Sequence, residues 1–269
     1  MNKSENQNTC ECPSEKFRKE NELSIAKLGA NKSLANKTAD WMIHANNLRY
    51  SYHYEWLGRP IIQYPQDMTA MQELIWQIKP DLIIETGIAH GGSLILSASM
   101  LAMLDMTDAI ESGQTIDPGQ SKRKVLGVDI DIRAHNREAI EAHPMASRIQ
   151  MIQGSSTATE TINQVKEFAK DYKTILIFLD SNHTHEHVLA ELEAYAPLTS
   201  VGSYCVVFDT IVEDMPEEMF PNRPWGPGDN PKTAVWEYLK THSEFEVDSA
   251  MDHKLLISVA PSGYLKRIS

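Results

Sequence analysis

From Leu82 onward the chain alternates short apolar runs with longer segments of helical period. Leu82–Glu85, Val125–Asp129, Ile149–Ile152, Thr174–Asp180 and Tyr204–Asp209 read as five strands, nearly continuous in apolar side chains. The segments between and after them are Ser93–Leu104, Arg133–Ala142, Thr159–Lys170, Glu186–Tyr195 and Thr233–Lys240. These place apolar residues at the 3.6-residue spacing of helices. Strands apolar on both faces, alternating with helices, predict an α/β fold: a doubly wound, mostly parallel sheet covered on each side. Phe245–Asp248 and Leu255–Val259 are expected to complete it as an antiparallel pair.

Upstream the pattern changes. Residues 1–22 are polar and charged without a period, and are expected to be a disordered or loosely attached leader. Residues 23–66 read as an N-terminal helical extension, with Ile25, Leu28, Trp41, Ile43 and Leu48 as anchors and a short extended segment after Trp56. Asp67 is placed to cap a helix over Met68–Ile78, with Pro80 beyond its end. The main domain then spans 67–269.

Composition adds exclusions. A chain of 269 residues with 42% hydrophobic and 23% charged residues suits one large domain with a full core. Its 25 basic and 37 acidic residues give a net charge of −12, which argues against nucleic acid or an anionic membrane surface as partner. No run of 18 apolar residues occurs, so no membrane span is expected. The N-terminus lacks the apolar stretch of a secretory signal. Cys10, Cys12 and Cys205 make no disulfide framework, which suits a reduced, cytoplasmic protein. Cys10 and Cys12 supply only two of the four ligands a structural metal takes.

In doubly wound sheets ligands bind beyond the carboxyl ends of the strands, so the residues following each strand are the candidates for chemistry. The first strand runs into Glu85-Thr86-Gly87-Ile88-Ala89-His90-Gly91-Gly92-Ser93. Its glycines allow a sharp turn and close backbone approach, and the helix that follows offers free N–H groups. A plain strand-to-helix turn would look the same. Asp129 ends the second strand, where a carboxylate can accept hydrogen bonds from both ribose hydroxyls of a nucleoside. Asp131 suits a cap for the next helix. After the third strand, Ser155 and Ser156 can meet an adenine edge.

The other two strand ends are acidic. Asp180 and Asp209 terminate neighbouring strands, and two hard oxygen ligands completed by water suit magnesium. His183, three residues after Asp180, is placed to act as general base on a metal-held hydroxyl. His185 and His187 read as surface and helix residues. The stretch 213–229 has no period and is rich in Pro, Gly and acids. It suits a lid over a bound acceptor, with Trp225 as a stacking surface.

The order of these motifs, from Trp56-Leu57-Gly58-Arg59-Pro60 through Glu85–Ser93, Val128–Arg133, Gly154-Ser155-Ser156 and Leu179–His183 to Trp225-Gly226-Pro227-Gly228, resembles the cephalosporin hydroxylase family. Despite its name, that family looks like S-adenosylmethionine-dependent methyltransferases with a magnesium site related to catechol O-methyltransferases; some relatives methylate sugar hydroxyls. The resemblance implies a Rossmann-like fold. It implies cofactor contacts at Glu85, Gly87 and Asp129 and metal ligands at Asp180 and Asp209; the loop and the strand ends add Ala89, Gly91, Ser93, Ser155, Ser156 and Asp180 as expected cofactor contacts. The implied reaction is O-methylation of a small molecule or sugar, with S-adenosylmethionine and Mg2+ as cofactors. One departure stands out: the family often carries Glu-Asp at the end of the fifth strand, and this chain has Phe208-Asp209. Thr210 could supply a weaker oxygen. Two rival readings follow, an iron-dependent hydroxylase, which needs two histidines and a carboxylate, and a cofactor-binding subunit without chemistry. Apolar residues in the N-terminal helices suggest a homo-oligomer.

Overall fold

The computed structural model describes residues 12–269; Cys10 lies outside them. The chain begins with α1 (Pro13–Gly29) and α2 (Lys32–Asn47), followed by a hairpin of β1 (Tyr54–Trp56) and β2 (Arg59–Ile61) and by α3 (Pro65–Ile78). Then come β3 (Leu82–Thr86), α4 (Gly92–Ser112), β4 (Lys124–Asp129), α5 (Ala134–Glu141), β5 (Ile149–Gln153), α6 (Thr159–Ala169), β6 (Ile175–Leu179), α7 (His185–Tyr195) and β7 (Tyr204–Val207). The last elements are α8 (Pro231–Tyr238), β8 (Phe245–Val247), α9 (Ser249–Leu255) and β9 (Tyr264–Arg267).

The apolar runs form a seven-stranded sheet in the order β5-β4-β3-β6-β7-β9-β8. The first five are parallel, and β9 joins β7 and β8 antiparallel. Every residue of β3 and β6 is buried, as two-faced coverage requires. One apolar cluster lies on each side: Ile83, Leu101, Phe178 and Tyr264 belong to one, and Ile84, Val165, Leu192 and Tyr238 to the other. The chain leaves β3 toward β4 on one side and returns through β6 on the other. That reversal opens a crevice at the carboxyl ends of β3, β4 and β6, where such folds bind ligands.

Several expectations need correction. Helix starts at Pro13 and not near Leu23, because a segment rich in helix formers with proline in its first turn needs no apolar stripe. None of its residues is buried, and it is held by packing on α9, where Gly29 lies so close to His253 that a Cβ would meet the ring at 2.1 Å. The α3 helix begins at Pro65, so the boundary drawn at 67 falls inside its first turn. Asp67 is no cap. It is fully buried and accepts hydrogen bonds from the Ser258 hydroxyl at 2.6 Å, the Val259 N–H at 2.9 Å and the Tyr264 hydroxyl at 2.8 Å, tying α3 to the C-terminal strands. Leu255–Val259 is not a strand; it is the end of α9 and a turn with Leu256 at φ 59°. The closing strand is β9. Asp131 does not cap α5, whose cap position is Arg133. Helix α4 is long and apolar enough by length and composition to cross a membrane. Its residues Leu94, Ile95, Leu96, Ala98, Leu101 and Leu104 are core of the sheet domain.

The N-terminal segments reach the site. Tyr50 packs edge-on against Trp41 and Tyr54 and tilts against Tyr64, whose hydroxyl donates to Asn46 Oδ1. Trp56 Nε1 donates to Ser99 Oγ on α4 at 3.0 Å. The extension is thereby fastened to the mouth of the crevice.

Candidate active site

The loop between β3 and α4 is held in an unusual backbone path. Gly87, Ala89 and Gly91 have φ of 89°, 45° and 83°. Gly87 is required: a Cβ there would lie 1.9 Å from the Asp180 carbonyl oxygen. Left-handed Ala89 is strained, and such strain persists only where neighbours over-determine it. Here they do. Asp129 Oδ2 accepts the N–H groups of Ile88 (2.8 Å) and Ala89 (3.3 Å), Asn136 Nδ2 donates to the Ala89 carbonyl at 2.9 Å, and Arg59 Nε donates to the His90 carbonyl at 3.0 Å. Arg59 also reaches Asn136 Oδ1 at 3.1 Å. The Arg59-Pro60 motif thus braces this loop from the β1–β2 hairpin.

Two adjoining cavities use the loop. One, of about 280 Å³, is lined by Gly87–His90, Gly92 and Ser93 together with Gln63, Asp180 and His183. The other, of about 250 Å³, is lined by Asp129, Ile130, Ser155, Ser156, Asn182 and His187, among others. The structure therefore gathers Gly87, Ala89, Ser93, Asp129, Ser155, Ser156 and Asp180 around one crevice. Gly91 turns the chain into α4 and packs against Ile140. Glu85 lies beneath the loop, 2% exposed, and accepts from the Ser93 hydroxyl. Asp129 has one oxygen engaged by the loop and accepts the Asp131 N–H at 3.0 Å with the other.

Burial pushes the Glu85 carboxyl up to about 8, partly opposed by the Ser93 hydrogen bond. A carboxyl raised on folding binds its proton more tightly in the native state than in the unfolded one. Its contribution to stability is full below the ordinary value of 4.5 and is lost as pH rises toward 8. The loss is of the order of a few kcal/mol. Glu85→Gln is expected to flatten the fall in stability between those limits. Urea melts at several pH values check this; parallel pH profiles for the two proteins would refute it.

Asp180, His183 and Asp209 offer ligand atoms that all lie within 4.8 Å of one another. His183 Nε2 stands 3.7 Å from Asp209 Oδ2. Burial and the neighbouring Asp209 charge push the Asp180 carboxyl well above the usual carboxylate range, a repulsion that a cation between them would relieve. Gln63 Nε2 donates to Asp180 Oδ2 at 3.1 Å, while its Oε1 is buried without a partner among the described residues. The two carboxylates are hard oxygen donors that fit magnesium, with the imidazole of His183 beside them. They are not the two-histidine, one-carboxylate set of the iron rival. Among the described residues this is the one such cluster.

Phe208 does not disturb this arrangement. It is buried against Phe178 at 5.9 Å between ring centroids, and the left-handed Asp209, φ 55°, turns the chain back toward the crevice. Thr210 is buried and its hydroxyl donates to the Pro261 carbonyl at 2.7 Å, tying the end of β7 to the turn before β9. His187 is not a plain helix residue: its Nε2 lies 3.0 Å from Ser156 Oγ and 3.1 Å from Ser181 Oγ, joining the ends of β5 and β6. Gln63, Arg59 and Asn136 went unmarked in the sequence. A lone amide inside the apolar run Ile61–Tyr64 was the one signal for Gln63.

A third cavity, of about 440 Å³, adjoins the cluster. His183 and Asp209 form part of its wall, with Tyr52 and Tyr64 on one side and Met215, Phe220 and Trp225 on the other. Trp225 meets His183 edge-on at 4.8 Å. The 213–229 stretch is anchored: Glu213 accepts the Gly228 N–H at 2.7 Å, and Asp229 Oδ1 accepts the His185 N–H at 2.7 Å.

The family model described as rhamnosyl O-methyltransferase/CmcI matches residues 48–268. A rhamnosyl O-methyltransferase of Mycobacterium tuberculosis (strain ATCC 25618 / H37Rv) is 30% identical over 206 residues, covering 75% of this chain and 73% of its own. One from Mycobacterium leprae (strain TN) is 28% identical over 214 residues, covering 79% and 82%. Among solved structures, CmcI with Mg and S-adenosylmethionine superposes with a TM-score of 0.53 at 18% identity, covering 81% of this chain and 78% of its own. Apo CalS11, a TDP-rhamnose 3′-O-methyltransferase of calicheamicin biosynthesis, does so at 0.50 and 17%, covering 95% of both. These two likenesses establish the shared fold, the mostly parallel α/β sheet with helices before it. With a matching model over most of its length and curated relatives at this identity, the chain belongs to the rhamnosyl O-methyltransferase/CmcI family.

Proposed function

We propose that the protein transfers a methyl group from S-adenosylmethionine to a hydroxyl of a sugar or sugar-bearing small molecule, with magnesium as its metal. One observation carries the reading: the Asp180–His183–Asp209 cluster stands where a cavity lined by the Gly87–Ser93 loop meets a separate aromatic-walled cavity. Donor and acceptor can thus face each other across the cluster. In this reading the ribose lies at Asp129, the adenine by Ser155 and Ser156, and the methionine part along the 87–93 loop.

A sulfonium methyl is already activated, so the protein's main task is alignment with a nucleophilic oxygen. Magnesium, held by Asp180 and Asp209, would lower the pKa of the acceptor hydroxyl. His183 takes the hydroxyl proton at its ring nitrogen, and Asp209, 3.7 Å from Nε2, stabilises the imidazolium that forms. Gln63 fixes the Asp180 carboxylate through its hydrogen bond. Trp225 and Phe220 exclude water from the acceptor side. The enzyme is expected to be cytoplasmic, where this cofactor is made, and homo-oligomeric, as the exposed Phe17, Leu23, Trp41 and Leu48 of the N-terminal region suggest.

Asp129→Ala tests the donor side. It removes hydrogen bonds to a charged acceptor, worth about 1.5–3 kcal/mol each, so S-adenosylhomocysteine should bind more than about tenfold more weakly. Loss of the ribose contact and loss of the loop anchor separate with a 2′-deoxy analogue. That analogue should be penalised in the wild type and not further in the variant. Unchanged affinity in calorimetric titration would remove Asp129 from the site.

A further inference from the structure

On the reading that the third cavity takes the acceptor, we infer that this acceptor carries a phosphate ester, bound by Arg49 and Arg223. The two arginines come from distant elements, one at the joint after α2 and one in the 213–229 stretch, and both line that cavity. Each guanidinium lies over an aromatic ring, Arg49 4.4 Å from the Tyr52 centroid and Arg223 5.0 Å from that of Trp225. Such stacking holds a guanidinium in place while leaving its in-plane N–H donors free. Neither has a carboxylate partner among the described residues, unlike Arg123 or Arg148 at the opposite end of the sheet, which pair with Asp105.

Arg49 is also held in a left-handed backbone conformation, φ 57°, fixed by its N–H bond to the Asn46 carbonyl at 2.8 Å. The charge balance agrees. The chain carries −12 overall, yet among the described residues Asp209 is the one acid lining this cavity, and it belongs to the cation cluster. An unneutralised pair of arginines there attracts an anion. A planar carboxylate is satisfied by one bidentate arginine, whereas a tetrahedral phosphate presents oxygens to two. With the phosphate at the rim and the cluster at the base, the sugar ring lies between, against Tyr52 and Trp225.

Two probes that differ in this one group test the inference: rhamnose 1-phosphate and methyl α-rhamnoside, each titrated by calorimetry into protein saturated with S-adenosylhomocysteine and magnesium. The phosphate should bind about tenfold or more tightly than the neutral glycoside. That advantage should vanish in the Arg49→Gln, Arg223→Gln double variant, with S-adenosylhomocysteine affinity unchanged. A phosphate advantage surviving in the double variant assigns it to the metal and overturns the inference, as does equal affinity of the two probes or no phosphate binding. S-adenosylhomocysteine binding in the same cell keeps the outcomes apart: protein that takes it and ignores phosphate refutes the arginine site alone, and protein that does not take it refutes the methyltransferase reading.

Discussion

His183→Ala is expected to lower kcat by about 10²–10⁴-fold, the usual contribution of a positioned base, while S-adenosylhomocysteine affinity changes far less. A sugar hydroxyl is a very weak acid, so its proton needs an acceptor at the moment of transfer. His183 is 21% exposed, lies between the two cavities, and is fixed by Asp209 on one side and the Trp225 edge on the other. His183→Gln, which keeps a polar side chain that cannot take up the proton, should lose kcat to a similar extent. A variant that keeps most of kcat would exclude the base role. His185 provides the internal control, since its ring meets Thr233 Oγ1 at 2.9 Å, away from the cluster. His187 does not serve as one, because it ties Ser156 to Ser181.

Asp180→Asn is expected to weaken magnesium binding by more than the roughly 10–100-fold that loss of a supporting contact costs a metal site, and to lower activity in proportion. The substitution keeps shape and the chance of a hydrogen bond to Gln63 while removing the charge. It also removes the repulsion with Asp209 that raises the Asp180 carboxyl, so the metal-free protein should be no less stable. Magnesium titration by calorimetry, with S-adenosylhomocysteine titration as control, separates the two effects. Full activity of the variant, or of the wild type in EDTA, would refute the metal mechanism.

The strands and the residues at their ends were legible because a strand buried on both faces writes itself as an unbroken apolar run, and where that run stops the ligand crevice begins. Asp129, Asp180, Ser155 and Ser156, read from those stops, line the two cavities. Helix α1 was missed because a helix that buries nothing has no stripe to read. Asp67 looked like a cap, since nothing local tells that its partners are Ser258 and Tyr264, 191 and 197 residues away. Gln63 was hidden for the same reason, its partner Asp180 being 117 residues distant. Leu255–Val259 is apolar enough for a strand, yet a left-handed Leu256 ends the helix there and turns the chain. Phe208 read as the loss of a ligand; packing against Phe178 shows it as core, and His183 stands beside the two aspartates.

Methyl transfer to a sugar hydroxyl across the Asp180–His183–Asp209 cluster is measured by incubating the protein with methyl-labelled S-adenosylmethionine, magnesium and a panel of rhamnosides and rhamnosyl phosphates, followed by mass spectrometry of the acceptors. Labelled O-methyl product that depends on magnesium and falls to background in Asp180→Asn is expected; binding of S-adenosylmethionine with no labelled acceptor, or product formed at full rate in EDTA, would refute this reaction.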